Sequence, residues 1–271
     1  MSEERRAGQP PDALTERIRE RFEAWDAMHR YYFPDYDVRW ERTISLIAAR
    51  LATLRPLPHH GGLPNDGRMA RILDLGCGPG TLTRRLAAAL PPACRVIGVD
   101  ADPLLIGLAR AAQGTARFEC ATAGANTLGS RFAGEGAFDI IVSSAFVHYF
   151  DSAGLLVLLR ECRSLLAPGG ALITVERFAA DAPTTTDVGA ARDEHDVSAW
   201  ARWWAQTRAA PDLAPLHQSS PPVTTGEEDE DEPPPPTELV FVRSLATAGF
   251  AIHGTERTPG GSTIITALRE T

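Results

Sequence analysis

Short apolar segments recur from residue 71 to residue 176, and a helix-forming segment separates each one from the next. Segments of this length and composition are typical of β-strands that are buried on both faces. Strands joined by helices lie parallel in one sheet, so the pattern predicts an α/β fold with helices covering both faces of the sheet. The predicted strands are 71–75, 94–100, 116–121, 138–144 and 171–176.

Further elements are predicted on either side of this region. Two helices are expected at about 12–30 and 37–54, and the chain should end in a helix from residue 238 and an antiparallel hairpin over 251–269. The segment 177–237 departs from the alternation. It contains a tryptophan-rich helical pattern, then six consecutive acids and four prolines, a composition that predicts a flexible loop.

These elements predict the organisation of the chain. Residues 1–11 are expected to be a disordered tail, and residues 12–66 a helical cap that ends in a Pro/Gly-rich linker. Residues 67–271 then form the α/β domain, with 177–237 inserted as a helix and a loop.

Aromatic residues are concentrated in the cap and in the insertion. Around the junction of the first two helices they include Tyr32 and Tyr36, which either pack the cap onto the domain or close over a bound molecule. In the insertion, Trp200, Trp203 and Trp204 share one helical face. That face either packs the insertion down or forms an aromatic wall around an apolar acceptor.

Charge and cysteine content narrow the class of protein. The formal net charge is −8, and six acids lie in one run at 227–232, so the rest of the chain is nearly neutral. Without a basic stripe, nucleic acid is not an expected partner.

The four cysteines are scattered, which predicts neither disulfides nor a metal site. With no long apolar segment, we expect a cytoplasmic protein without a membrane partner.

The first predicted strand contains Asp74 and leads into a turn with glycines at positions 76, 78 and 80, followed at once by a helical segment. A turn of this kind presents backbone N–H groups at a helix N-terminus to a polar or anionic ligand. Glycine is required because the chain turns sharply and a Cβ would block close approach.

This acid followed by G-x-G-x-G resembles motif I of class I S-adenosylmethionine-dependent methyltransferases. Thr81 stands where the dinucleotide-binding pattern has its third glycine, which disfavours a nicotinamide enzyme. The resemblance implies a doubly wound, mostly parallel, seven-stranded Rossmann-like sheet with a C-terminal antiparallel hairpin and an N-terminal helical cap. It also implies S-adenosylmethionine as the cofactor, with no metal.

The resemblance also implies which residues hold the cofactor. The methionyl part would lie against the turn and Ser143, the ribose hydroxyls would bind Asp100, and the adenosine would lie along Ala101. Thr122 or Ala123 falls where the family commonly has an acid that bonds adenine. The implied contacts are Asp74, Leu75, Gly76, Cys77, Gly78, Gly80, Asp100, Ala101, Thr122, Ala123 and Ser143.

His148 follows the fourth predicted strand, in a segment that also resembles the family. It either removes a proton from the nucleophile of the acceptor or is a packed or adenine-adjacent residue. The sequence therefore predicts methyl transfer to the oxygen, nitrogen or carbon of a small-molecule acceptor. The alternatives are a cofactor-binding scaffold and a nicotinamide oxidoreductase. Predicted acceptor contacts are Tyr32, Tyr36, His148, Trp200, Trp203 and Trp204.

Overall fold

The structure, a computed structural model, describes residues 13–54, 68–112, 114–178, 194–216 and 236–270. The predicted tail, the Pro/Gly-rich linker and the acidic, proline-rich loop lie outside these ranges. The helices are α1 (Ala13–Tyr32), α2 (Tyr36–Leu54), α3 (Thr81–Ala89), α4 (Pro103–Ala111), α5 (Leu128–Arg131), α6 (Ser152–Leu165), α7 (Glu194–Arg208) and α8 (Glu238–Thr247).

Seven strands form one sheet in the order β3-β2-β1-β4-β5-β7-β6. Strands β1 to β5 are parallel to one another, whereas β7 is antiparallel to both β5 and β6. This confirms the predicted seven-stranded doubly wound sheet with a C-terminal hairpin. The strands are β1 (Ala70–Leu75), β2 (Cys94–Asp100), β3 (Arg117–Cys120), β4 (Phe138–Ser144), β5 (Leu166–Glu176), β6 (Phe250–Arg257) and β7 (Thr263–Arg269).

Alternating residues of the central strands supply two separate cores, one on each face of the sheet. Leu73 and Leu75 of β1 face α5, α6 and α8, whereas Ile72 faces α2 and α3. All six residues of β1 are buried. Apart from Asp74 and Arg71, whose stem is aliphatic, the residues of the central strand are apolar. Each fully buried Leu or Ile side chain contributes roughly 1.5–3 kcal/mol to the stability of the fold.

The cap and the inserted helix meet in a third apolar cluster. Ile18 of α1 packs with Trp203 and Trp204 of α7 and with Leu104 and Leu108 of α4. The helix predicted inside the 177–237 insertion is therefore present, and it lies against α1 and α4.

Several element boundaries differ from those expected. Strand β3 is shorter, and α5 is a single helical turn that the sequence pattern did not indicate. Strand β5 begins at Leu166 rather than at residue 171, because the Pro168–Gly170 turn forms an irregularity in its pairing with β4. No helix in the described part of the chain is both long and apolar enough to span a membrane.

Asp74 is the buried acid of the central strand. Its side chain is 2% exposed, and the hydroxyl of Thr83 in α3 donates a hydrogen bond of 2.6 Å to its Oδ2. Burial raises the pKa of Asp74 to about 7. The Thr83 hydrogen bond lowers the pKa, whereas the nearby charge of Asp100 raises it further. Burial outweighs the single donor because a carboxylate loses most of its hydration there.

Asp74→Asn is expected to flatten the pH dependence of stability. The folded-state pKa of about 7 exceeds the ordinary value of 3.8, so the native state keeps a proton that the unfolded chain loses and stability falls as pH rises between these values. The variant lacks that proton, so its free energy of unfolding should decline less steeply, by up to about 1.4 kcal/mol per pH unit. Urea unfolding between pH 4.5 and 7.5 measures both slopes.

Thr83→Val is the matched variant for this experiment. It removes the hydroxyl that stabilises the ionised form of Asp74, so the pKa of Asp74 should rise further. The free energy of unfolding should then continue to fall up to a higher pH than in the unaltered protein. Equal slopes for the unaltered protein and Asp74→Asn would contradict a titration of Asp74 in this range.

Candidate active site

The candidate site lies at the carboxyl ends of the parallel strands. The strand order reverses between β1 and β4, and open α/β sheets bind ligands in the crevice outside such a reversal. A shallow surface depression lined by Gly169, Ala251 and Leu268 lies at the opposite edge, where β5 begins and β7 ends. That depression also includes Arg269 and Glu270, but the predicted site residues lie at the carboxyl ends of the strands.

The turn after β1 has the backbone that its glycines were expected to permit. Gly76 and Gly78 have φ angles of 65° and 55°, in the left-handed region. A Cβ at Gly76 would lie 2.3 Å from Cδ2 of Phe146, and one at Gly78 would lie 3.1 Å from Cζ2 of Trp25. The absence of side chains therefore lets aromatic rings approach the turn closely.

Asp100, at the end of β2, is joined to this turn. Its Oδ2 accepts a hydrogen bond of 2.9 Å from the N–H of Gly78, and its Oδ1 accepts one of 2.9 Å from the N–H of Asp102. Burial raises the pKa of Asp100 to about 6, although both backbone donors act in the opposite direction. The structure thus brings the predicted turn and the predicted ribose-binding acid to one place.

The other residues implied for the cofactor have different surroundings. Asp74 lies within the fold against Thr83, a contact that suits stabilisation of the turn. Leu75, Cys77 and Ser143 are buried, and burial raises the pKa of the Cys77 thiol well above its ordinary value. These residues support the crevice from within the sheet.

The loop after β3 contains Thr122 and Ala123. The buried carboxylate of Glu161 in α6 accepts hydrogen bonds of 2.8 Å from the N–H groups of Gly124 and Leu128. This acid ties the loop to α6. At the end of β3, before the loop, the thiol of Cys120 lies 3.5 Å from the carbonyl oxygen of Ala101. The loop contains no acid in place of the one that the family commonly has.

His148 and Glu176 pair across the ends of β4 and β5. Nδ1 of His148 lies 3.2 Å from each carboxylate oxygen of Glu176, whose side chain is 4% exposed. Oε2 of Glu176 also accepts hydrogen bonds from the N–H groups of Phe146 and Val147. Ala145, with a φ angle of 51°, makes the turn that aims both donors at this carboxylate. The sequence analysis did not identify Glu176; its position at the end of a strand, like that of Asp100, was the available signal.

Aromatic residues of α1 cover the turn. Trp25, which contacts the Gly78 position, has its ring centroid 4.9 Å from that of His29 and 4.7 Å from that of Trp200. The carbonyl oxygen of Trp25 lies 3.0 Å from Nδ1 of His29, and burial lowers the pKa of His29 to about 4. The sequence analysis did not identify His29, whereas Trp25 is one of the aromatic residues around the junction of the first two helices that it expected either to pack or to close over a bound molecule.

The predicted acceptor contacts are only partly gathered here. Trp203 and Trp204 are buried in the cluster between α1, α4 and α7, and the indole N–H of Trp203 donates to the carbonyl of Arg21, which favours packing for both. Trp200 is half-buried beside Trp25, and Tyr36 is buried in the first turn of α2. Tyr32 ends α1, but its side chain lies outside the description.

Comparison with known proteins agrees with this geometry. Residues 72–170 match a family sequence model described as a methyltransferase domain. A trans-aconitate 2-methyltransferase of Streptomyces avermitilis is 34% identical over 52% of this chain and 48% of that protein. A malonyl-[acyl-carrier protein] O-methyltransferase of Legionella pneumophila is 34% identical over 38% and 34%, and a ubiquinone biosynthesis O-methyltransferase of Cereibacter sphaeroides is 36% identical over 41% and 42%. The chain thus spans less than half the length of these relatives.

Solved structures support the same fold. Human N-acetylserotonin methyltransferase in complex with SAM aligns with a TM-score of 0.54 at 16% identity, covering 97% of this chain and 61% of that one. Magnesium protoporphyrin IX methyltransferase from Synechocystis aligns with a TM-score of 0.50 at 18% identity, covering 92% and 94%. With the matched domain at residues 72–170, the strand order and the antiparallel end of the sheet, the chain contains a methyltransferase domain and has the Rossmann-like fold of S-adenosylmethionine-dependent methyltransferases.

Proposed function

We propose that this protein transfers the methyl group of S-adenosylmethionine to an oxygen of a small-molecule acceptor. The observation that carries the proposal is the hydrogen bond between the Gly78 N–H and Asp100, because it joins the ends of β1 and β2 around one crevice. The oxygen acceptor is supported by the names of two relatives, which are O-methyltransferases. Nitrogen and carbon acceptors are the alternatives within the same reaction class.

The residues of the crevice suit this cofactor. Each oxygen of Asp100 accepts one backbone hydrogen bond and retains acceptor capacity for a ribose hydroxyl. The turn offers a helix N-terminus to the methionyl carboxylate. Gly76, Gly80, Ala101, Thr122 and Ala123 would line the remaining contacts, with Asp74, Leu75, Cys77 and Ser143 beneath them.

The bound cofactor supplies an electrophilic methyl group, and the protein has to orient the nucleophile and exclude water. Orientation of this kind contributes roughly 7–11 kcal/mol to lowering a barrier. No covalent intermediate with the protein is required, so a nucleophilic side chain is not needed. The aromatic rings around Trp25 would exclude water from the crevice.

His148 would act as the general base for a hydroxyl acceptor. Because the Glu176 carboxylate faces Nδ1, the tautomer with Nδ1–H donating to Glu176 leaves the lone pair of Nε2 free to accept a proton. Glu176 would orient the ring and stabilise the imidazolium that forms. His148 is about one-third exposed, so an acceptor can reach it.

A cofactor-binding scaffold is the second candidate. The rings of Phe146 and Trp25 lie against Gly76 and Gly78, where the resemblance implies the methionyl part of the cofactor. A scaffold would bind S-adenosylmethionine without releasing S-adenosylhomocysteine in the presence of any acceptor.

Asp100→Ala is expected to weaken S-adenosylmethionine binding at least tenfold, about 1.4 kcal/mol, because two hydroxyls lose a charged acceptor. Isothermal titration calorimetry measures the change. Asp37→Ala, an exposed acid of α2, is the matched control and should bind normally. Unchanged affinity in Asp100→Ala would remove this residue from the cofactor site.

His148→Ala should lower turnover about 10²–10⁴-fold with little change in cofactor affinity, since it removes the proton acceptor and no proposed cofactor contact. The assay follows S-adenosylhomocysteine release over a panel of phenolic, aliphatic hydroxylated and carboxylated acceptors. His253→Ala, on the exposed face of β6, is the control. Near-normal turnover in His148→Ala on an acceptor that the unaltered protein methylates would exclude the general-base role.

A further inference from the structure

Buried polar atoms without a hydrogen-bond partner are concentrated where α2 begins. The described residues contain thirteen such side-chain atoms, and six of them belong to residues 35–40. Leaving a buried polar group unsatisfied costs roughly 1–3 kcal/mol, and more for a charged one. The six atoms are Oδ1 and Oδ2 of Asp35, the hydroxyl oxygen of Tyr36, Nε and Nη2 of Arg39, and Nε1 of Trp40. The side chain of Tyr36 interacts with those of Trp40 and Asp26, so the atoms of Asp35 and Arg39 are the unsatisfied ones that matter here.

Arg39 is the centre of this group. Its side chain is 1% exposed, with the guanidinium carbon 3.8 Å from the ring centroid of Phe33 and 4.3 Å from that of Trp40. Nε and Nη2 have no hydrogen-bond partner among the described residues, although the charge of Asp35 acts on Arg39. Burial lowers the pKa of Arg39 to about 10, so the guanidinium stays charged at neutral pH. Aromatic rings stabilise the faces of a guanidinium and leave its edge N–H groups without acceptors.

This group borders the proposed acceptor site. The charge of Asp35 raises the pKa of Arg39 most, and Tyr36 and Glu176, the partner of His148, raise it less. The charge of Arg39 in turn lowers the pKa of His29. Asp35 lies beside the turn between β6 and β7, where a Cβ at Gly260 would be 2.2 Å from its Oδ1. That turn adjoins the end of β5, so the beginning of α2 lies at the carboxyl edge of the sheet.

We propose that Arg39 binds a carboxylate of the acceptor. Nε and Nη2 form one edge of the guanidinium, the arrangement that binds both oxygens of a carboxylate. The inference rests on the proposed function and adds the substrate class: a small molecule that carries a carboxylate held by Arg39. The rival for the same guanidinium is Asp35, whose carboxylate also lacks a partner among the described residues.

The test follows the Nε–Hε resonance of Arg39 in full-length protein labelled with ¹⁵N-arginine. Arg39→Lys identifies the resonance by its loss. Benzoate is titrated with and without S-adenosylhomocysteine, and benzamide and inorganic phosphate serve as neutral and tetrahedral comparisons. We expect a saturable shift with benzoate and none with benzamide, and benzoate binding at least tenfold weaker in Arg39→Lys. Arg42→Lys, an exposed arginine of the same helix, should bind benzoate normally.

An unmoved Arg39 resonance, equal benzoate binding by Arg39→Lys, or tighter binding of phosphate than of benzoate would overturn the inference. If the Arg39 resonance does not move with benzoate but shifts in Asp35→Asn, Arg39 is the partner of Asp35 and the inference is overturned as well. The proposed function is judged separately, by calorimetry with S-adenosylhomocysteine. Failure of that binding with the benzoate shift intact would count against methyl transfer alone.

Discussion

The hydrogen bonds to Asp100 are the interaction on which the candidate site depends. One carboxylate accepts from the turn after β1 and from the residue that caps α4, so it fixes two neighbouring strand ends with respect to each other. The sheet alone sets the strands side by side but leaves the conformation of the turn open. The two donors also explain why the carboxylate tolerates burial, since a buried charge without such partners would be far more costly.

The charges around the crevice are unevenly distributed. On the β1 and β2 side, Asp74 and Asp100 lie close enough for the charge of Asp100 to raise the pKa of Asp74. On the α2 side, Arg39 is a buried cation whose edge lacks an acceptor among the described residues. Under the two proposals, this polarity suits a cofactor with a sulfonium and an ammonium on one side and an anionic acceptor on the other. Opposite charges would then be brought together in a site of low dielectric, where their interaction is stronger than in water.

The sequence was sufficient for the fold and for part of the site because those features are local. A buried strand is visible in the sequence as a short apolar segment, and the turn after β1 is visible because it requires glycines at a fixed spacing. The pairing of Glu176 with His148 was not predictable in this way, because 28 residues separate them and only the sheet brings them together. Likewise, Arg39 reads as an ordinary polar position of an amphipathic helix. Its burial follows from the packing of α2 against β5, which no local pattern encodes.

Helix α1 of the cap contacts the residues that form the crevice and not only the outside of the domain. Asp26 of α1 accepts a hydrogen bond of 2.8 Å from the hydroxyl of Thr81, the first residue of α3, and Trp25 lies against Gly78. The contacts are made to the turn and to the first residue of α3, and a ligand that displaces the ring of Trp25 must also disturb its tilted contact with Trp200 of α7. Under the proposed function, cofactor binding and the position of α7 would therefore be coupled through Trp25. This coupling follows from close packing, since a ring cannot move within a dense aromatic cluster without displacing its neighbours.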